Sequence, residues 1–554
     1  MKRNIILSLL TIVLLTSCQG GDSVSDLSGT SDSASSSISG EFKDAALTDD
    51  IIDDNYRNYY EIFVTSFADS NKDGIGDLNG IDSKLSYLRD LGYTGIWLTP
   101  IFASNSYHKY DTNDYFQIDS SFGTLDDLKK LVSDAHKLGI KVILDGVFNH
   151  TSGTNSWFNS ALLAKQKELA GTTMTEEETN YASLYTFFDT EKEASSANCR
   201  YARAGANDFY YECNFDNNMP ELNFNSEFTY TKIKSIIDYY MADDIGIDGF
   251  RLDAVKYYFL NNTAKNVTAL SRIEGMVHAN DANGYCVGEC WDSEATITSY
   301  YQSDLDSYFY FPGSGSDGFI SSSLAIFGSP KNKYLNGLKA MITAASNHIP
   351  APFLDNHDMG RMTKGGNKLM SKFQLGLLGM LNGTTFNYYG DEIGMSSSNN
   401  PGGDYSDSNY RTHYYWDDDT HECECYNPSH SQTQVEYYPA SKTQLADDNS
   451  ILNYVKKANQ IRNAYPAISR GTISDLQESD QAINSDKSSP LLVIDKTYQK
   501  KTIRLLINFS TTDAVTYQTS SLVPKQILLT DTANKATYQD QLLTLPSNSI
   551  AVLA

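Results

Sequence analysis

Three short apolar runs in this chain each lead into a carboxylate: Gly249-Phe250-Arg251-Leu252-Asp253, Val287-Gly288-Glu289 and Phe353-Leu354-Asp355-Asn356-His357-Asp358. Apolar residues without alternation are the pattern of a parallel strand covered on both faces, so each run is predicted as such a strand with an acid at its C-terminal tip. Asp253 and Glu289 stand 36 residues apart, about one strand-plus-helix unit, and Asp358 comes 69 residues later, about two. Acids spaced by whole units of a β/α barrel converge at one rim, the end where that fold places its active sites. The chain is therefore expected to be an α/β protein built on a (β/α)8 barrel.

A single carboxylate is more often a helix cap or a loop ion pair than a catalyst. The neighbours of these three argue otherwise. Arg251 precedes Asp253 by two positions and so projects to the same side of the strand, where a fixed cation keeps Asp253 ionised. Glu289 lies between Cys286-Val287-Gly288 and Cys290-Trp291, apolar surroundings that favour its protonated form. His357 beside Asp358 supplies a hydrogen-bond donor for a hydroxyl. Two carboxyls held in opposite protonation states are the equipment for cleaving a glycosidic bond.

These segments resemble the conserved regions of the α-amylase family, glycoside hydrolase family 13. So do Lys141-Val142-Ile143-Leu144-Asp145-Gly146-Val147-Phe148-Asn149-His150 (its third strand), Met219-Pro220-Glu221-Leu222-Asn223 (its inserted domain B) and Tyr388-Tyr389-Gly390-Asp391-Glu392 (its eighth strand). Tyr60-Glu61-Ile62-Phe63-Val64 and Gly95-Ile96-Trp97-Leu98-Thr99-Pro100 resemble its first two strands, and the matches run in family order from about Tyr59 to the C-terminus. The resemblance implies a retaining hydrolase of α-1,4-glucosidic bonds with Asp253 as nucleophile, Glu289 as acid and then base, and Asp358 as the stabiliser gripping the distorted sugar. It implies that Tyr110 stacks under that sugar and that His108, His150, Arg251 and His357 hold its hydroxyls, with Asp407 and Arg411 serving the same subsite. Lys256 resembles the acceptor-subsite lysine of α-amylases and neopullulanases. The domain-B motif is similar to forms intermediate between those enzymes and oligosaccharide α-glucosidases. An α-glucosidase or glucanotransferase on the same site is the alternative, and a catalytically silent glucan-binding lipoprotein is the rival from another class.

Composition agrees with a neutral polymer as partner. A formal charge of −26 disfavours nucleic acid and anionic membrane surfaces but leaves a glucan unaffected, and 38 Tyr, 24 Phe and 4 Trp provide rings for stacking on sugars as well as for core. A monomer is expected.

Strands are predicted near residues 60, 96, 142, 248, 286, 308, 353 and 386, alternating with helices such as Leu125 to Leu138 and Thr229 to Asp243. The 108 residues between Asp145 and Asp253 exceed two units, so the third strand carries an insertion. The expected division is a signal peptide over 1–17, a Ser-rich linker over 18–49, barrel over 50–150 and 227–466, domain B over 151–226, and a small antiparallel β-domain over 467–554.

Lys2-Arg3, an apolar run from Ile5 to Leu15, and Leu15-Thr16-Ser17-Cys18 read as a secretory signal. Its ending resembles a bacterial lipobox, which implies lipidation of Cys18 and a tethered enzyme on the outer face of a bacterial membrane. Of the other six cysteines, Cys199 and Cys213 are placed to staple a hairpin, Cys286 and Cys290 are too far apart on an extended strand, and Cys423 and Cys425 pair only with strain or elsewhere. They do not have zinc-site spacing. Asp69-Ser70-Asn71-Lys72-Asp73-Gly74-Ile75-Gly76-Asp77 offers oxygens at alternate positions around a glycine turn, the logic of a Ca²⁺ loop. By resemblance to the family's first-loop calcium site, Asp69, Asn71, Asp73 and Asp77 would bind by side chain and Ile75 by its carbonyl.

Overall fold

The computed structural model describes residues 40–48, 51–324, 329–363, 366–397, 406–418 and 437–554. Cys18, Cys423, Cys425 and the expected signal and most of the linker lie outside the described residues. Among the described residues no helix is long and apolar enough to cross a membrane.

Eight parallel strands form one sheet: β1 (Asn58–Ile62), β2 (Gly95–Leu98), β3 (Lys141–Gly146), β4 (Gly249–Leu252), β5 (Tyr285–Gly288), β6 (Ser307–Phe309), β7 (Ile349–Ala351) and β8 (Thr385–Tyr388). Each pairs with its sequence neighbours, β1 also pairs with β8, and a parallel bridge from Phe353 to Phe386 joins the remaining edges into a barrel. Nearly every strand residue is buried, as layers on both faces require. Gly249 opens β4 at φ +144°, and a Cβ there would lie 1.9 Å from the Tyr285 carbonyl oxygen, so only glycine lets β4 approach β5 at this point.

One strand differs from expectation. The seventh ends at Ala351 rather than running through Phe353 toward Asp358, because Pro352 has no N–H for the ladder; its carbonyl still accepts from Phe386 N at 3.0 Å. Asp358 therefore sits on a loop seven residues beyond the strand, whereas Asp253 and Glu289 directly follow theirs. The helix expected from Thr229 runs instead over Glu227–Met241, because Ser226 accepts from Phe228 N and starts it a half-turn earlier.

After β3 the chain leaves the barrel for helices Ser156–Leu169, Glu176–Ser183 and Glu191–Ser196 and a three-stranded antiparallel sheet (Phe187–Phe188, Tyr201–Arg203, Tyr210–Glu212). Cys199 and Cys213 flank the Tyr201 to Glu212 hairpin but are free thiols, so the expected staple is absent and backbone pairing holds the hairpin; Cys286 and Cys290 are free and buried as well. Beyond the helix Ile451–Ala464 come a five-stranded and a three-stranded antiparallel sheet. The larger sheet packs Leu492, Ile494 and Leu505 into one core with Leu377, Leu378 and Ile461 of the barrel's last helices.

Candidate active site

Arg251 is the centre of the C-terminal rim. It is wholly buried, and its Nη1 donates to Asp145 Oδ1 at 2.8 Å and Asp253 Oδ1 at 2.6 Å, while Nη2 lies 3.1 Å from Glu289 Oε2. Three acids from the ends of β3, β4 and β5 thus share one guanidinium. The parallel register makes this possible: Arg251 lies beside Asp145 on β3 and Val287 on β5, so its side chain projects between their tips. Ala254, directly after Asp253, takes φ +47° and turns its N–H onto Glu289 Oε2 at 3.0 Å, fixing the second acid against the first.

His357 and Arg411 do the same for Asp358. Arg411 Nη2 donates to Asp358 Oδ1 at 2.6 Å, with its Nε on the His357 carbonyl at 2.9 Å and Nη1 on Tyr107 OH at 2.7 Å. His357 places Nδ1 2.6 Å from Glu61 Oε1 and Nε2 3.1 Å from Asp358 Oδ2. With a carboxylate on each nitrogen the imidazole is doubly protonated. Burial works against that charge, but Asp358 and Glu61 outweigh it and raise the group to about 9. Burial likewise pushes Asp358 up, and His357 and Arg411 overcome it, holding this carboxyl well below the usual range.

Five carboxyls (Glu61, Asp145, Asp253, Glu289, Asp358) therefore meet three cations, and burial favours the protonated form of those that the cations serve least. Burial raises Glu289 to about 7, opposed by Arg251 and reinforced by Asp253. Asp145 is lifted to about 6, again by burial against Arg251, and accepts from Tyr110 OH at 2.9 Å and Trp97 Nε1 at 3.3 Å. One rim thus holds a carboxylate (Asp358) and a carboxyl that keeps its proton near neutrality (Glu289). Such a pair can supply an acid to a leaving oxygen and a negative charge to an electron-poor carbon.

A cavity of about 650 Å³ opens over these groups, lined on the barrel side by His108, Tyr110, His150, Asp253, Glu289, Trp291, Asp358, Asp407 and Arg411 and on the insertion side by Phe215, Asp216, Asn218 and Met219. His108 Nδ1 accepts from Tyr110 N at 3.1 Å, which puts its proton on Nε2; burial and then Arg411 lower it to about 4, so it is a neutral donor. His150 Nε2 donates to the Tyr110 carbonyl at 3.2 Å and so holds the loop bearing Tyr110.

The remaining expected residues fall elsewhere. Arg251 and His357, expected on sugar hydroxyls, lie behind the cavity wall and hold the acids. Lys256 bonds the Trp291 carbonyl at 2.6 Å and Asp292 Oδ2 at 2.9 Å and is not part of the lining. In the Asp69 to Asp77 loop, Asp69 Oδ1 accepts from Asn71 N and Lys72 N and its Oδ2 from Gly74 N, Asn71 Oδ1 from Asp73 N, and Asp73 Oδ1 from Ile75 N. Asp77 caps the helix Leu78–Asp90 through Gly80 N at 2.7 Å and accepts from Ser70. No three carboxylates of the loop lie within 4.8 Å of one another. Its donor set is nonetheless all oxygen around a glycine at φ +89°, which suits a hard cation. Glu61, Asp145 and Tyr107 were absent from the sequence-based site. Glu61 and Asp145 do share the signal of the predicted residues, an acid at the end of an apolar strand.

Acids converging on shared cations over a cleft at the C-terminal rim of a (β/α)8 barrel define a carbohydrate-cleaving enzyme of the two-carboxylate kind. Residues 61–471 match the family described as alpha amylase, catalytic domain. The chain is 33% identical over 453 residues to Alpha-amylase 3 of Dictyoglomus thermophilum, covering 77% of this chain and 81% of that protein. It is 27% identical over 339 residues to a 4-alpha-glucanotransferase of Thermotoga maritima, covering 61% and 71%. Among solved structures, Eubacterium rectale Amy13B superposes with a TM-score of 0.81 at 34% identity, covering 92% of this chain and 99% of that one. The chain belongs to the α-amylase family, glycoside hydrolase family 13, and is a glycosidase acting on α-glucans.

Proposed function

We propose that this enzyme hydrolyses α-1,4-glucosidic bonds in starch or maltodextrins with retention at the anomeric carbon. The carrying observation is Arg251, which holds Asp253 and Glu289 on adjacent nitrogens of one guanidinium. That arrangement favours the short spacing of a double displacement, in which the two carboxyls stand about 5–5.5 Å apart. Asp253 attacks the anomeric carbon as Glu289 protonates the departing glycosidic oxygen. The conjugate base of Glu289 then takes a proton from the water that releases the sugar. Asp358, kept anionic by His357 and Arg411, grips the distorted ring; Tyr110 gives it a stacking face and His108 an Nε2–H donor.

A second cavity shares Trp291 and Asp358 with the first and extends past Phe311, on which the half-exposed Trp291 stacks at 5.0 Å between centroids. A cleft continuing on both sides of the acids supports cleavage within a chain. The test is product analysis on starch, pullulan and maltotriose: a mixture of short maltooligosaccharides from starch supports the reading. Glucose released alone from chain ends would make the enzyme an α-glucosidase, and oligosaccharides longer than maltotriose formed from maltotriose itself would make it a transferase.

The Asp69 to Asp77 loop is proposed to bind Ca²⁺, which would cross-link the segment leading into the first helix. Cys18 is proposed to carry the lipid anchor, and mass spectrometry of the wild type beside Cys18→Ser decides it.

A further inference from the structure

At the opposite end of the barrel is a second group of ionisable side chains with no part in the mechanism above. Glu274 and His278 lie one turn apart near the end of the helix Thr263–Asn280, and Asp306 immediately precedes β6. Gly284 and Cys286 flank the start of β5, so the cluster is separated from Glu289 by the length of that strand, about 13 Å.

Glu274 is 1% exposed, and neither carboxylate oxygen makes a well-formed hydrogen bond. Its polar neighbours are His278 Nε2 at 3.1 Å, Asp306 and the Cys286 thiol. A buried carboxylate so poorly satisfied is costly unless a proton or a cation meets it. The nearest arginine-like solution, used at the rim, is missing: His278 is the one basic side chain in the group.

The three side chains meet as metal ligands do. One ligand atom from each of Glu274, His278 and Asp306 lies within 4.8 Å of the others, and His278 Nε2 stands 3.1 Å from Glu274 Oε1 and 4.0 Å from Asp306 Oδ2. Ligands around a tetrahedral zinc at bond lengths of about 2.0–2.1 Å stand about 3.3 Å apart. Asp306 is already oriented, since the Cys286 N–H donates to its Oδ2 at 3.0 Å, and the Gly284 carbonyl lies 3.1 Å from His278 Nε2 as a further oxygen. His278 and Asp306 are partly exposed, which leaves a way in from solvent.

We propose that the base of the barrel binds a divalent transition-metal ion of the zinc class through Glu274, His278 and Asp306. One imidazole with two carboxylates is a borderline donor set, better matched to such an ion than to Ca²⁺. Binding takes the imidazole as its Nδ1–H tautomer, the Nε2 proton now facing Gly284 leaving to solvent as Nδ1 takes one up, and the ion ties the helix Thr263–Asn280 to the entry of β6. The site is independent of the glucan chemistry at the rim.

The test uses the full-length protein, saturated with Ca²⁺ to fill hard-cation sites, then titrated with Zn²⁺ by calorimetry and with Co²⁺ by visible absorption. One equivalent should bind, with Co²⁺ d–d bands and a rise in Tm. His278→Gln, at a partly exposed position, and Asp306→Asn should each weaken binding by about tenfold or more while activity on maltooligosaccharides stays unchanged. No saturable binding by the wild type would overturn the proposal and leave Glu274 and Asp306 sharing a proton. Binding that is the same in His278→Gln and Asp306→Asn would overturn it by placing the ion elsewhere.

Discussion

At both ends of the barrel, carboxyls lie buried beside one another, but they are neutralised differently. At the rim, Glu61, Asp145, Asp253, Glu289 and Asp358 are bound to Arg251, His357 and Arg411, two of which are guanidiniums that never lose their charge. At the base, Glu274 and Asp306 have His278 alone. The rim can hold Asp358 anionic and still leave a proton on Glu289, because its cations are distributed unequally: Asp358 meets two, His357 and Arg411, whereas Glu289 meets one that it shares with Asp145 and Asp253. The division of labour between carboxylates is thus set by which cation each can reach.

Removing the nucleophile should have the largest effect. Asp253→Asn leaves the Arg251 network nearly isosteric but takes away the attacking oxygen, and kcat should fall by on the order of 10⁴–10⁶-fold with glucan binding retained. Near-normal turnover would show that the acids on Arg251 are structural, like those at the base.

Next comes the proton on Glu289. With this group raised to about 7, its acid form is present below that pH and is lost as pH rises through it, so kcat/KM should decline above about 7. Glu289→Gln should cost on the order of 10²–10⁴-fold on starch and abolish that alkaline limb for a substrate with an activated leaving group. A limb that survives in Glu289→Gln belongs to a different group.

Arg251→Met tests the neutralisation itself. It strands Asp145, Asp253 and Glu289 without their cation, for an expected loss of about 3–5 kcal/mol in urea unfolding. A loss under about 1 kcal/mol would mean that protons already do this at the rim. The smallest effect is expected at the base: in metal-free protein Glu274→Gln replaces a carboxyl whose one basic neighbour is the partly exposed His278, and stability should change by no more than about 1 kcal/mol. A large loss there would point to a tight Glu274–His278 ion pair in place of a metal ligand.

Asp253 and Glu289 are legible as site acids because each directly follows an apolar strand run, and strand ends are where this fold gathers its chemistry. Asp358 is legible through its motif although Pro352 ends the strand early. Glu61 and Asp145 also occupy strand ends, yet their task is to orient His357 and anchor Arg251, which becomes visible only when β1, β3 and β4 stand side by side. The base cluster left less trace. Glu274 and His278 look like an ordinary surface pair one helical turn apart, and Asp306 is 28 residues further on.

The sequence by itself determined the strand pattern, the insertion after the third strand and the acids at the rim, because a side chain at the end of a buried strand has only one direction in which to meet solvent. The neighbours of Glu289 already pointed to its protonated form, whereas tertiary structure alone decided that Asp358 is held anionic, that Asp145 is raised and which side chains touch the cavity. Arg251 and His357 turned behind the wall, His150 toward the Tyr110 carbonyl, and Lys256 toward Asp292. Protonation and contact depend on distances of a few ångströms between groups tens to hundreds of residues apart, where burial amplifies each charge, and no local pattern in the chain encodes them.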